Sequence, residues 1–189
     1  AIGDVDHDGV TDAVVSAPAH PPLGHGTGSI YLYSGKSGKL LWKHRGNGVD
    51  LLGNGVEAAG DINHDGVPDV IAGAPGVGKA YVLSGKDGTV LRTFSGQPGD
   101  EGFGTAVAGI GDFDGDGIPD LAVGAPAAVN GGPGDHAYPG YAYVFSGKNG
   151  KLLRRLAGAS PGAQLVSALG GGSGFLSVGA GAGCPDHRG

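Results

Sequence analysis

The sequence predicts an all-β chain of the β-propeller class, made of about three and a half four-stranded repeats. Three observations predict it. An acidic block occurs three times, as "GDVDHDGVTDAVVSAP" from residue 3, "GDINHDGVPDVIAGAP" from residue 60 and "GDFDGDGIPDLAVGAP" from residue 111, with leading aspartates spaced by 57 and 51 residues. A second block follows each copy, as "YLYSGKSGKLLW" from 31, "YVLSGKDGTVLR" from 81 and "YVFSGKNGKLLR" from 143. No segment carries a long apolar stripe at helical spacing. Internal repeats of about 50 residues belong to propellers, solenoids and arrays, and one four-stranded blade fills such a period.

Taken in order, a repeat opens with small residues, "LGNGVEAAGD" from 52 or "FGTAVAGIGD" from 103, which suit an inner strand crowded around a central channel. The acidic loop comes next. Runs such as "DLAVGAP" are short, apolar and closed by Gly and Pro, as expected of a buried strand that ends in a turn. "YVFS" is aromatic and β-branched, "GKNG" joins two strands, and "KLLRRL" supplies the outer strand. The repeats fall at approximately 1–46, 47–96, 97–158 and 159–183, with a tail at 184–189. The first has only Ala1-Ile2-Gly3 where about ten residues of inner strand belong. In the fourth, "AQLVSALGG" from 163 and "LSVGAG" from 176 match strands of the other copies, but "GGSGF" (171–175) replaces the acidic loop, so no metal is expected there.

Composition sets the outer bounds. The 43 glycines and 12 prolines would suggest disorder if they had no period; here they recur at matching places. Hydrophobic residues make 39% of the chain, enough for a core. No apolar run reaches the roughly 20 residues of a membrane-spanning helix. The sequence shows neither an initiator Met nor a signal peptide, so a mature or excised segment is expected. Cys184 is the single cysteine, so no intrachain disulfide forms, and it reads as an incidental thiol. A net charge of −6 argues against nucleic acid, which needs clustered Lys and Arg.

The acidic loops carry the chemistry. Eleven of the 18 acidic residues lie in them, and carboxylates so close repel unless a cation neutralises them. In the third loop Asp112, Asp114 and Asp116 alternate toward one centre, Gly117 permits the sharp turn, the Ile118 carbonyl adds an oxygen and Asp120 closes the shell. The first loop supplies Asp4, Asp6, Asp8, the Val10 carbonyl and Asp12; the second supplies Asp61, Asn63, Asp65, the Val67 carbonyl and Asp69. An all-oxygen set of this kind suits Ca²⁺, whereas Mg²⁺ prefers a smaller octahedral shell rich in water. Three such ions would cancel the formal charge of −6. His7 and His64, at the fourth position of their loops, read as solvent-facing rather than ligating.

"FG" at 103–104, the aspartate loops and "GAP" at 73–75 and 124–126 resemble the FG-GAP repeat family, best known from the propellers of integrin α subunits. The resemblance implies a seven-bladed propeller with Ca²⁺ in the hairpin between the first two strands of a blade, held by the loop residues just named. Two departures, "LG" at 52–53 and "SAP" at 16–18, touch no ligand. It implies a non-enzymatic, extracellular or surface protein for adhesion or ligand binding, with a protein or glycan ligand. The alternative is an accessory or carbohydrate-binding, lectin-like domain of a secreted hydrolase. Self-association or the remainder of a longer chain would complete the ring.

Other motifs fail. "GAPGVGKA" at 73–80 has Walker A spacing but ends in Ala and precedes a strand. No G-x-S-x-G elbow or HExxH occurs. The segment around Trp42 has a faint likeness to quinoprotein repeats, but one Trp in one repeat reads as packing. The inserts after Pro18, with His20 and His25, and after Pro126, with His136, Tyr138 and Tyr141, vary in length and lie where a partner would bind, on the face opposite the acidic loops.

Overall fold

A computed structural model describes residues 1–18, 26–98, 100, 102–126, 140–158, 169–170 and 177–178. The inserts at 19–25 and 127–139, the segment 171–176 and Cys184 lie outside the described residues. Three antiparallel meanders dominate. The first sheet contains β1 (Ala13–Ala17), β2 (Ser29–Tyr33) and β3 (Leu40–Arg45), the second β4 (Val56–Gly60), β5 (Asp69–Ala74), β6 (Lys79–Leu83) and β7 (Val90–Ser95), and the third β8 (Ala106–Gly111), β9 (Asp120–Ala125), β10 (Tyr141–Phe145) and β11 (Leu152–Ala157). Within each sheet, order in space is order in sequence. The first sheet replaces a fourth strand by the single bridge Gly3↔Asp12. A hairpin of β12 (Leu169–Gly170) and β13 (Ser177–Val178) stands where the fourth copy was expected. The only helical turn among the described residues is a 3-10 turn, Pro75–Val77, and no helix is long and apolar enough to cross a membrane.

These sheets are blades stacked face to face, because the core lies between them. β5 and β9 are buried along their whole length, which is why they read as unbroken apolar runs. Alternate residues of the second sheet serve two interfaces. Val70, Ala72 and Ala74 join Ile30, Leu32 and Trp42 of the first sheet, while Ile71 and Val82 join Leu121, Val123 and Phe145 of the third. The inner strands β4 and β8 lie side by side. Alanines at 106, 108, 122 and 142 form a separate small cluster in the third sheet, consistent with the expected crowding at the inner strands.

The FG and GAP signatures have a steric cause. Leu52 and Phe103 are both fully buried, so either apolar side chain serves as the wedge and "LG" is an acceptable departure. The following Gly104 has φ +90, and the backbone of Gly73 passes so close that a Cβ on Gly73 would sit 1.8 Å from the Gly104 carbonyl oxygen. The glycines of the two motifs meet across the interface between blades, and a side chain there would force the blades apart.

Successive blades are also joined by outer strands. Trp42 of β3 is 8% exposed and donates its indole N–H to the Gly85 carbonyl in the turn of the second blade; His44 places Nδ1 2.9 Å from the Gly88 carbonyl. The packing reading of Trp42 holds. One blade on, Arg92 of β7 donates to the Lys148 carbonyl and Phe94 packs tilted against Phe145, ring centroids 4.5 Å apart. Tyr141, expected in an insert, is a residue of β10, with the Arg155 guanidinium 3.8 Å above its ring. Arg155 also bonds the Tyr143 hydroxyl and pairs with Asp100, anchoring the linker between the second and third blades.

Candidate metal loops

The second and third acidic loops connect the first two strands of their blades, between β4 and β5 and between β8 and β9, and the first lies inside the Gly3↔Asp12 bridge ahead of β1. Their shape comes from aspartates accepting amides of their own loop. In the third, Asp112 accepts from Gly115, Asp116 and Gly117, Asp114 from Asp116, and Asp116 from Ile118. Asp4 and Asp61 act alike, accepting from Asp8 and Gly9, and from Asp65 and Gly66. Two positions turn through left-handed backbone. The sixth is always glycine, at φ 86, 85 and 89 for Gly9, Gly66 and Gly117; the fourth is His7, His64 or Gly115, at φ 58, 59 and 79. Gly115 in the third copy was the sequence signal for this second turn, and the histidines occupy it for their backbone geometry.

This winding brings Asp4, Asp6 and Asp8 together, and likewise Asp112, Asp114 and Asp116, with one carboxylate oxygen of each within 4.8 Å of the others. These two groups could hold a metal ion. In the second loop Asn63 replaces the central carboxylate; its amide oxygen accepts from Asp65 and its amide nitrogen donates to the Asp65 carboxylate. No hydrogen bond among the described residues engages the carbonyls of Val10, Val67 or Ile118. Loss of hydration, then repulsion from Asp120 and Asp116, holds the Asp114 carboxyl above the usual range. The donors are all oxygens, they are crowded, and they are short of positive charge, which fits a hard divalent cation.

The ninth-position aspartates do more than the sequence suggested. Asp12, Asp69 and Asp120 are at most 1% exposed. Asp12 accepts from Val5 and Asp6 at one oxygen and from Gly35 at the other; Asp120 accepts from Phe113 and Asp114, and from Gly147; Asp69 accepts from Ile62 and from Gly85. Gly35, Gly85 and Gly147 are the central residues of the three "SGK" turns. Each carboxylate therefore ties its loop to a turn 16 to 27 residues away and still has lone pairs to spare. Burial raises the Asp69 carboxyl to about 6, against the opposing pull of the Gly85 and Ile62 amides. The recurrence of "SGK" after every loop was the available signal for this contact.

Comparison with known proteins accords with this geometry. The FG-GAP repeat profile matches residues 1–33 and 103–145, and the FG-GAP-like repeat profile matches residues 61–123. The chain belongs to the FG-GAP repeat family. It is 35% identical over 139 residues to integrin alpha-6 of Gallus gallus, covering 66% of this chain and 13% of that protein. It is 36% identical over 146 residues to integrin alpha-PS5 of Drosophila melanogaster, covering 66% and 14%. The FG-GAP chain thus spans about an eighth of the length of these relatives. Among solved structures, rhamnogalacturonan lyase YesW aligns with 85% of this chain and 34% of its own at a TM-score of 0.51 and 17% identity, a likeness of fold.

Proposed function

We propose that this FG-GAP segment is a calcium-binding, non-enzymatic part of an extracellular or surface protein, serving adhesion or ligand binding. The observation that carries the reading is the pair of converged aspartate triads on self-wound loops, with a third loop of the same plan. Asp4, Asp6, Asp8, the Val10 carbonyl and Asp12 would hold one ion. Asp61, Asn63, Asp65, the Val67 carbonyl and Asp69 would hold the second, and Asp112, Asp114, Asp116, the Ile118 carbonyl and Asp120 the third. The ions would neutralise the loops and fix one face of the blades. Sites of this kind with Kd near 10⁻⁴–10⁻³ M fill outside cells, where Ca²⁺ is abundant, and the integrin likeness supports the same placement. The repeats are proposed at 1–46, 47–96, 97–158 and 159–183. The partner would be a protein or glycan meeting the variable inserts after Pro18 and Pro126, which lie outside the described residues.

Calorimetric titration with Ca²⁺ tests the count. Three ions are expected for the whole chain and two for Asp116→Ala, and a chelator should lower Tm by several degrees, since saturating ligand adds about 2.7 kcal/mol per site at 100 times its Kd. A Tm indifferent to both chelator and Ca²⁺ overturns the reading. Glycan binding that requires Ca²⁺ would move the assignment to the lectin-like alternative.

A further inference from the structure

We propose that Lys36 and Lys148 set the cation affinity of the first and third loops, each ammonium standing in for part of the missing positive charge. The inference rests on the calcium reading above. Lys36 Nζ lies 2.9 Å from the carbonyl oxygen of Asp8, and Lys148 Nζ lies 3.5 Å from that of Asp116 and 3.9 Å from its carboxylate. Both lysines reach the fifth position of their loop from an "SGK" turn 28 or 32 residues further along the chain. Their starting point is fixed, because the preceding glycine amide is held by the buried Asp12 or Asp120.

The distribution across the three loops follows charge. The first and third loops each hold four aspartates and receive a lysine. The second has Asn63 and three aspartates, and among the described residues no hydrogen bond or salt bridge joins Lys86 Nζ to any of them. An ammonium beside the fifth ligand relieves repulsion in the empty loop. It then opposes an incoming divalent cation and competes for Asp116. Lys148 is 56% exposed, so water screens the effect and its size is moderate.

The test titrates the whole chain with Ca²⁺ against a competing chelator at low salt. Lys36→Gln and Lys148→Gln should each tighten one site about three- to tenfold, while Lys86→Gln leaves all constants unchanged. Lys148→Arg should keep the native affinity. The gap between Lys148→Gln and the native chain should narrow as salt rises from about 20 mM to about 0.5 M; a lysine that merely shaped the loop would not give that narrowing. Weaker binding in Lys148→Gln, an equal shift in Lys86→Gln, or native constants in Lys36→Gln and Lys148→Gln would overturn the proposal and leave the calcium reading standing. A native chain that takes up no Ca²⁺ would overturn both.

Discussion

At the scale of residues, the nine-residue acidic loop divides its aspartates between two tasks. Asp116 stands in a converged triad near solvent, whereas Asp120 is buried and receives three backbone amides. Asp116→Ala should therefore remove one ion and cost less than about 1 kcal/mol in chelator, where no ion remains to be lost. Asp120→Ala should cost about 2–4 kcal/mol even in chelator, because it strands the buried Gly147 amide and two half-buried amides of the loop. Chemical denaturation of both variants separates the tasks, and equal losses in chelator would contradict the division. Asp69 adds a pH dependence. Its carboxyl, at about 6 in the fold, lies above the ordinary value near 4. A carboxyl raised in the native state favours folding while protonated, so its contribution is whole below about pH 4 and lost as pH rises through about 6. In chelator the chain should melt higher at about pH 5 than at about pH 7.5. With saturating Ca²⁺ that advantage should vanish. A chelated chain whose melting point is flat or lower at pH 5 would contradict the assignment.

At the scale of elements, the local features were legible and the distant contacts were not. The buried runs of β5 and β9, the acidic loops and the "SGK" turns each carry their composition within a few residues, so pattern and turn chemistry suffice to place them. The Gly35 amide meets Asp12 across 23 residues, and only the recurrence of "SGK" after each acidic loop points to the pairing. Nothing near Trp42 announces its partner, since its burial depends on a turn 43 residues away in the next blade. His7 and His64 follow from backbone geometry at the fourth loop position, a demand that side-chain chemistry conceals. The weight placed on Trp42 is testable. It is buried in the cluster that joins the first two blades, so Trp42→Ala should destabilise the chain by about 3–5 kcal/mol, read from denaturant unfolding. A loss under about 1 kcal/mol would mean that the first blade is held chiefly by Ile30, Leu32 and Leu52.

At the scale of the molecule, the blades present a complementary pair of faces. Between the first and second blades, and again between the second and third, an outer strand covers the next blade's "SGK" turn, with Trp42 over Gly88 and Arg92 over Gly150. The equivalent of Trp42 in β11 is Arg154, and that of Phe94 is Leu156, which is 43% exposed. On the first blade the matching receiver is the turn at Gly38, where an added Cβ would meet none of the described residues within 4 Å. The third blade therefore offers a covering face and the first offers a turn to be covered. Propellers use 4–8 blades, and faces that match head to tail make a ring when the rotation closes and an open array when it does not. Residues 1–189, produced as a polypeptide with Ca²⁺ present, should therefore associate, giving a mass by light scattering at a multiple of 18.4 kDa. Replacing Leu156 by Lys should shift that equilibrium toward single chains, because a charge would have to be buried at the contact. A stable particle of 18.4 kDa at all concentrations would show that the two faces are satisfied within one chain.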